Sequence, residues 1–149
     1  MILGSTGSIG VQALEIIAAN PDKFRVIAMS AGRKNPGLLM QQAKKFNVPI
    51  VGSMAPTPVV DGIKVIGGDN SSIEIAAIPC DIVLNGITGS IGLGPTLSAL
   101  SVGNKVALAN KEPEPSFLIT SLYLIFDFTS IPSLAIVTPE NKAVEIYFP

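Results

Sequence analysis

The chain has 149 residues, enough for one domain that buries a core of its own. Its formal net charge of −1 provides no basic stripe for nucleic acid or an acidic membrane, and the absence of histidine excludes imidazole chemistry. The single cysteine, Cys80, cannot form an internal disulfide, and its apolar neighbours predict an inert, buried side chain. No signal-peptide pattern opens the sequence, so we expect a cytoplasmic protein.

The first motif follows three residues into the chain, where a glycine occurs at every third position from Gly4 to Gly10. Apolar residues precede it and an apolar-periodic segment, residues 10–19, follows, which predicts a strand, a turn and a helix. Such a turn gathers backbone N–H groups and serine and threonine hydroxyls at the positive end of a helix, where a dinucleotide pyrophosphate can bind. Because the common fingerprint is G-x-G-x-x-G, a glycine-rich turn without a ligand stays an alternative.

A second strand is predicted at residues 24–30, which are rich in β-branched and apolar side chains. The helix before it is predicted to bury Val11, Leu14, Ile17 and Ala18. The segment after the strand offers no acid for the ribose hydroxyl of NAD but carries Arg33 and Lys34. Two cations here favour the 2′-phosphate of NADPH, and a solvated basic loop is the alternative.

Strands and helices continue to alternate along the chain. The predicted elements are a helix at 37–46 after Pro36, a strand at 48–51, a proline-rich loop at 55–58, a strand at 64–66, a helix at 73–78 capped by Ser71 or Ser72, a strand at 81–87, a helix at 93–100 and a strand at 104–109. This alternation predicts a doubly wound, mostly parallel α/β sheet of the Rossmann type.

Two further segments stand at carboxyl ends of predicted strands, where such sheets bind ligands. Residues 88–92 form a second small-residue turn that would face the same cofactor, with close helix packing as the alternative. After the last strand, Lys111 would meet a substrate phosphate or reacting oxygen, Asn110 the nicotinamide or ribose, and Glu112 a ribose hydroxyl. An ordinary charged turn is the alternative there.

Four ordered segments, residues 2–10, 20–26, 87–93 and 107–112, resemble the 1-deoxy-D-xylulose 5-phosphate reductoisomerase family. The resemblance implies an NADPH-dependent oxidoreductase that converts a sugar phosphate, 1-deoxy-D-xylulose 5-phosphate, to 2-C-methyl-D-erythritol 4-phosphate in the non-mevalonate isoprenoid route. It also implies a divalent cation, Mg²⁺ or Mn²⁺.

The matching motifs imply cofactor contacts by Thr6, Gly7, Ser8, Ile9, Gly32, Arg33, Lys34, Asn35, Asn110 and Glu112, and a substrate contact by Lys111. The first four would contact the phosphates and ribose, the next four the adenosine phosphate, and Asn110 and Glu112 the nicotinamide side. Because the family motif is one residue shorter near Arg33 and Lys34, these two cations compete for one role.

Residues 113–149 form a tail of different composition, since no Lys or Arg occurs between Lys111 and Lys142. Its apolar run at 116–128 is shorter than the about twenty residues of a membrane helix and predicts a core helix or two strands. Residues 134–137 predict an added strand, and an exposed apolar tail predicts aggregation or a homodimer. Where the family carries an acidic metal motif, this chain has Glu140 as a single carboxylate, which is a weak site.

We therefore expect a dinucleotide-binding domain at 1–112 and a divergent tail at 113–149, without the catalytic C-terminal region of the family. Such a chain would bind NADPH but turn over little or nothing by itself. The alternative is a non-catalytic NADP-binding module or truncated remnant. A short-chain reductase is excluded because neither Tyr123 nor Tyr147 has a lysine four residues later.

Overall fold

A computed structural model describes residues 1–109, 134–137 and 143–146. The strands of the described part are β1 (Ile2–Leu3), β2 (Ala28–Ala31), β3 (Ile50–Ser53), β4 (Lys64–Gly67), β5 (Ile82–Asn85), β6 (Lys105–Leu108), β7 (Leu134–Val137) and β8 (Ala143–Ile146). Its α-helices are α1 (Ser8–Ala19), α2 (Pro36–Lys45), α3 (Ser71–Ala76) and α4 (Leu93–Ser101), with a 3-10 turn at Ser90–Gly92.

The strands form one sheet in the order β4-β3-β2-β1-β5-β6-β7-β8. Neighbouring strands pair in parallel from β4 to β7, and β8 pairs antiparallel to β7. The chain first builds outward from β1 to β4 and then returns to place β5 on the other side of β1. This confirms the predicted doubly wound, mostly parallel sheet and puts the reversal of strand order between β1 and β5.

The core has two apolar clusters, one on each face of the sheet. Ile2 packs in a cluster with residues of α1 and α2, and Leu3 packs in a cluster with residues of α3 and α4. Successive strand residues point to opposite faces, so helices cover both sides of the sheet. Both faces of β1, β2 and β3 are buried, so these strands show no alternation of buried and exposed residues, whereas β4 at the edge is largely exposed.

Several predicted details are wrong. The strand predicted at 24–30 is confined to Ala28–Ala31, and Phe24 is 48% exposed. The strand predicted at 48–51 lies at Ile50–Ser53. Ala18 is exposed, because the buried stripe of α1 is narrower than predicted and centres on Leu14. These shifts reflect burial, which depends on the packed neighbours rather than on local pattern.

The predicted cap of α3 is also wrong. The helix begins at Ser71, so Ser71 and Ser72 lie inside its first turn, and Asn70 is the N-cap residue without a side-chain hydrogen bond. The Ser72 hydroxyl instead donates to Ser30 Oγ at 2.9 Å, which joins α3 to β2. A serine near a helix start can bind a neighbouring strand as readily as its own helix.

In the tail, β7 confirms the strand predicted at 134–137 and extends the parallel sheet beyond β6. The predicted helix or strand pair at 116–128, the family's metal-motif position at 138–141 and the segment Asn110–Glu112 lie outside the described residues. Among the residues that the structure describes, no helix has the length and apolar character needed to cross a membrane.

Candidate functional site

The glycine turn between β1 and α1 depends on two close backbone approaches. Gly4 has φ of 78°, and a Cβ atom there would lie 3.1 Å from the carbonyl carbon and oxygen of Gly86, which follows β5. A Cβ atom on Gly10 would lie 2.5 Å from Gly4 O and Ser5 Cα. Only glycine at these positions lets the turn, the start of α1 and the end of β5 come together.

The first turn of α1 presents its amides at this point. Gly7 is the N-cap residue, and its own amide donates to Gly4 O at 3.0 Å. Ser8 and Ile9 open the helix, where N–H groups have no intrahelical acceptor and the helix dipole is positive. Thr6 is partly exposed beside them. This arrangement suits an anionic group such as a phosphate.

Gln42 of α2, which was not predicted as a site residue, fixes the glycine turn through two hydrogen bonds to Ser5. The Ser5 hydroxyl donates to Gln42 Oε1 at 2.8 Å, and Gln42 Nε2 donates to Ser5 O at 3.0 Å. The amides of Gly4 and Ser5 both donate to Ser30 O at 2.9 Å. Ser5 is fully buried, so its hydroxyl does not face a ligand with those of Thr6 and Ser8. The sequence signal for Gln42 was a polar residue on the apolar face of a predicted helix.

The second small-residue turn is held by Asn85, the last residue of β5. Asn85 Nδ2 donates to Gly92 O and to Thr96 Oγ1, both at 2.8 Å, and Asn85 Oδ1 accepts from the Ile87 amide at 3.1 Å. This buried side chain is therefore hydrogen-bonded at both its ends. The turn is closely packed at Gly92, where a Cβ atom would lie 2.8 Å from Ile87 O, while Thr88 and Ile91 face an open groove.

That groove, of about 540 Å³, runs across the carboxyl ends of the strands on both sides of β1. It gathers all eight predicted site residues of the described part: Thr6, Gly7, Ser8, Ile9, Gly32, Arg33, Lys34 and Asn35. The second turn contributes Thr88 and Ile91, whose side chain is 65% exposed. Ala109 also lines the groove and directly precedes Asn110 in the chain, but Asn110, Lys111 and Glu112 lie outside the described residues.

A smaller pocket of about 390 Å³ adjoins the groove and shares several of its walls. Its additional lining comes from α3 and α4 and is mainly apolar, with Ile73 and Pro95 beside Met54. Asp69 and Asn70, from the loop between β4 and α3, provide its polar rim. None of these residues was predicted as part of the site, because each lies far in sequence from the glycine turn and from the basic segment after β2.

The sequence shows no acidic residue near the basic segment after β2, but the structure brings one to it from a distant part of the chain. Arg33 Nη2 forms an ion pair with Asp69 Oδ1, and Arg33 Nη1 donates to Met54 O at 3.4 Å. The two charged side chains are 62% and 70% exposed. Lys34 also lines the groove, and within the described residues no carboxylate forms an ion pair with it.

The sequence profile described as 1-deoxy-D-xylulose 5-phosphate reductoisomerase matches residues 1–114. The chain belongs to this family. A reductoisomerase from Leifsonia xyli is 48% identical over 112 residues, which cover 75% of this chain and 27% of that relative. The chain spans less than a third of the length of the curated reductoisomerases that it matches.

Solved reductoisomerase structures agree with the fold. The Zymomonas mobilis enzyme in complex with NADPH has a TM-score of 0.66 at 34% identity, covering 74% of this chain and 31% of that one. A reductoisomerase in complex with NADPH, fosmidomycin and magnesium has a TM-score of 0.69 at 26% identity, covering 92% of this chain and 35% of that one.

A reductoisomerase metal site is not formed by the described part of this chain, where no three or more His, Cys, Asp or Glu side chains come together. The position at which the family resemblance places a carboxylate ligand, Glu140, lies outside those residues.

Proposed function

We propose that this chain is the NADPH-binding portion of a 1-deoxy-D-xylulose 5-phosphate reductoisomerase. The reaction of the whole enzyme is the NADPH-dependent conversion of 1-deoxy-D-xylulose 5-phosphate to 2-C-methyl-D-erythritol 4-phosphate. The observation that supports it best is the single groove at the β1–β5 reversal, which gathers the glycine turn and the basic segment after β2. Ligands of doubly wound sheets bind at this place.

The glycine turn fits the pyrophosphate of the dinucleotide. The amides of Ser8 and Ile9 would donate to its oxygens with the positive end of α1 behind them, and the Thr6 hydroxyl would add a donor. Gly7 carries no side chain to obstruct this approach, and Gly10 keeps α1 close against the turn. We propose that Thr6, Gly7, Ser8 and Ile9 together bind the phosphates and the neighbouring ribose.

The adenosine end fits the other half of the groove. The apolar walls of the adjoining pocket, including Ile73 and Pro95, match the flat surface of an adenine ring. Lys34 at the groove would attract the 2′-phosphate that distinguishes NADPH from NADH. We propose that Gly32 and Asn35 complete this end, with Arg33 as the second cation near the phosphate.

The residues that we propose for the nicotinamide end follow Ala109 in the chain. Asn110 and Glu112 follow the groove residue Ala109 by one and three positions, beyond the carboxyl end of β6. We propose that they orient the nicotinamide and that Lys111 contacts the sugar-phosphate substrate. NADPH, when bound, supplies the hydride for the reduction, and the protein supplies its position.

The remaining expectations are also proposals. A divalent cation, Mg²⁺ or Mn²⁺, fits the family, but the described residues offer no ligand cluster and no reaction step is assigned to it. The domain boundary near residue 112, the cytoplasmic location, the homodimer and the non-mevalonate pathway are carried from the sequence and the family. The location is based on the lack of a signal-peptide pattern, the homodimer on the apolar tail, and the pathway on the family match over residues 1–114.

A fluorescence titration of the purified 149-residue chain with NADPH and with NADH tests the proposal. We expect NADPH to bind more tightly than NADH, and Lys34→Ala to reduce this preference. Lys44→Ala is the matched control, because Lys44 is exposed in the last turn of α2, far from the carboxyl edge of the sheet. If neither NADPH nor NADH binds to the chain, the proposal is overturned.

The competing function is that of a non-catalytic NADP-binding module, which would bind the coenzyme in the same groove without catalysing a reaction. Its supporting observation is the lack of a metal-ligand cluster among the described residues. We expect little or no turnover from the 149-residue chain alone under either function. Measurable turnover in a steady-state assay with 1-deoxy-D-xylulose 5-phosphate, NADPH and Mg²⁺ would exclude the non-catalytic module.

A further inference from the structure

We propose that Asp69 lowers the preference of this groove for NADPH over NADH by competing with the 2′-phosphate for Arg33. The inference rests on the proposed NADPH function. It assigns to Asp69 a role in coenzyme selection that its position in the sequence, 36 residues after Arg33, gives no reason to expect.

The guanidinium of Arg33 bridges the ends of three neighbouring strands. Arg33 follows β2, its Nη1 donates to the carbonyl of Met54 after β3, and its Nη2 pairs with the carboxylate of Asp69 after β4. Both partners lie on the side of β2 that faces away from β1. Asp69 therefore draws the Arg33 side chain toward the β4 edge of the sheet and away from the glycine turn.

The two cations of this segment therefore differ in how far a nearby carboxylate offsets their charge. Lys34 has no carboxylate partner among the described residues, whereas the charge of Arg33 is opposed by Asp69. A 2′-phosphate at this end of the groove would need Arg33 to leave its carboxylate partner, and it would itself be repelled by Asp69. NADH lacks this phosphate, so its binding does not require the exchange.

The exchange is feasible because both partners are largely exposed, at 62% and 70%. An exposed ion pair contributes little, equivalent to about a two- to fivefold change in affinity. An arginine–phosphate contact is stronger because it is charge-assisted and bidentate. The 2′-phosphate can thus displace Asp69, but at the cost of part of the affinity that Arg33 would otherwise provide.

The test is a titration of the full 149-residue chain, wild type and Asp69→Asn, with NADPH and with NADH at low ionic strength. We expect Asp69→Asn to tighten NADPH by about two- to fivefold and to leave NADH unchanged. Asp22→Asn is the matched control, since it makes the same charge change after the far end of α1 and should alter neither affinity. Asp69→Ser should act in the same direction as Asp69→Asn.

Two further arms identify the mechanism. Adenosine 2′,5′-bisphosphate should gain affinity from Asp69→Asn, and adenosine 5′-monophosphate should not, because only the former carries the 2′-phosphate. In an Arg33→Ala background, Asp69→Asn should tighten NADPH clearly less than in the wild type, because only the direct repulsion between Asp69 and the phosphate is then removed. Equal tightening with and without Arg33 would overturn the competition, since it would show that Asp69 acts on the phosphate directly.

The failures of the two proposals are distinguishable. If the wild-type chain binds NADPH but Asp69→Asn leaves the NADPH-to-NADH ratio unchanged or lowers it, this inference is overturned and the proposed function stands. If the folded wild-type chain, verified by circular dichroism, binds none of the four nucleotides, the proposed function is overturned and the inference with it.

Discussion

Gln42 and Ser5, which are 37 residues apart, exchange two hydrogen bonds in the interior beneath the glycine turn. One bond joins the Ser5 hydroxyl to Gln42 Oε1 and the other joins Gln42 Nε2 to the Ser5 carbonyl, so the amide group is satisfied at both its ends. The amides of Gly4 and Ser5 in the same turn also donate to the Ser30 carbonyl of β2, so hydrogen bonds to α2 and to β2 both fix the position of the turn. Gln42 is thus a buried polar side chain that supports the glycine turn without lining the groove.

Gln42→Ala would leave the hydroxyl and carbonyl of Ser5 buried without this partner. We expect a loss of about 1–3 kcal/mol in the free energy of unfolding, measured by urea denaturation. NADPH affinity should also fall, since the turn loses one of its two anchors. Gln41→Ala is the matched control, because Gln41 is the exposed neighbour on the same helix. Equal effects of the two substitutions would contradict the assigned role.

Gly10→Ala tests the close packing of α1 on the turn. Its Cβ atom would meet Gly4 O and Ser5 Cα at 2.5 Å, and both are backbone atoms that cannot rotate away. We expect a loss of about 1–3 kcal/mol of stability and a large loss of NADPH affinity. Gly37→Ala in α2 is the control, since a Cβ atom there meets nothing within 4 Å and should stabilise the helix by up to about 1 kcal/mol. Full NADPH binding by Gly10→Ala would refute this account of the turn.

Cys80 provides a pH-dependent prediction. Burial raises the pKa of its thiol, and this effect outweighs the opposing attraction of the N-terminal amine. A raised pKa lowers the thiolate fraction at any pH below it, and only the thiolate is alkylated rapidly. We therefore expect iodoacetamide at pH 8 to react more slowly with the native chain than with the chain in urea. Because Cys80 is the single cysteine, mass spectrometry reads the reaction directly. A native rate equal to the rate in urea would show that the thiol is not protected.

The order of strands and helices and the place of the glycine turn were predictable from the sequence. Periodicity reports which side of an element is apolar, and closely spaced glycines report a backbone that must turn tightly, both within a few neighbouring residues. The exact bounds were less predictable. Phe24 has strand propensity, yet the strand begins at Ala28, where pairing with Ile50 of β3 begins.

The eight predicted site residues that line the groove lie in two local segments, the glycine turn and the basic segment after β2, and the family resemblance implied their roles. Asp69, Gln42 and the apolar walls of the adjoining pocket were not identified, since each enters the site from a distant part of the chain. The sequence showed Asp69 only as part of a predicted turn and Gln42 only as a helix residue.

The sequence by itself determined the class of the fold, the family and the glycine turn, because these depend on residue types at short separations. Only the tertiary structure decided that Arg33 is paired with Asp69 and that Ser5 faces Gln42 rather than a ligand. The physical reason is the order of the sheet. It places the ends of β2, β3 and β4 side by side and packs α2 beneath the turn, so residues more than thirty positions apart become hydrogen-bonding partners.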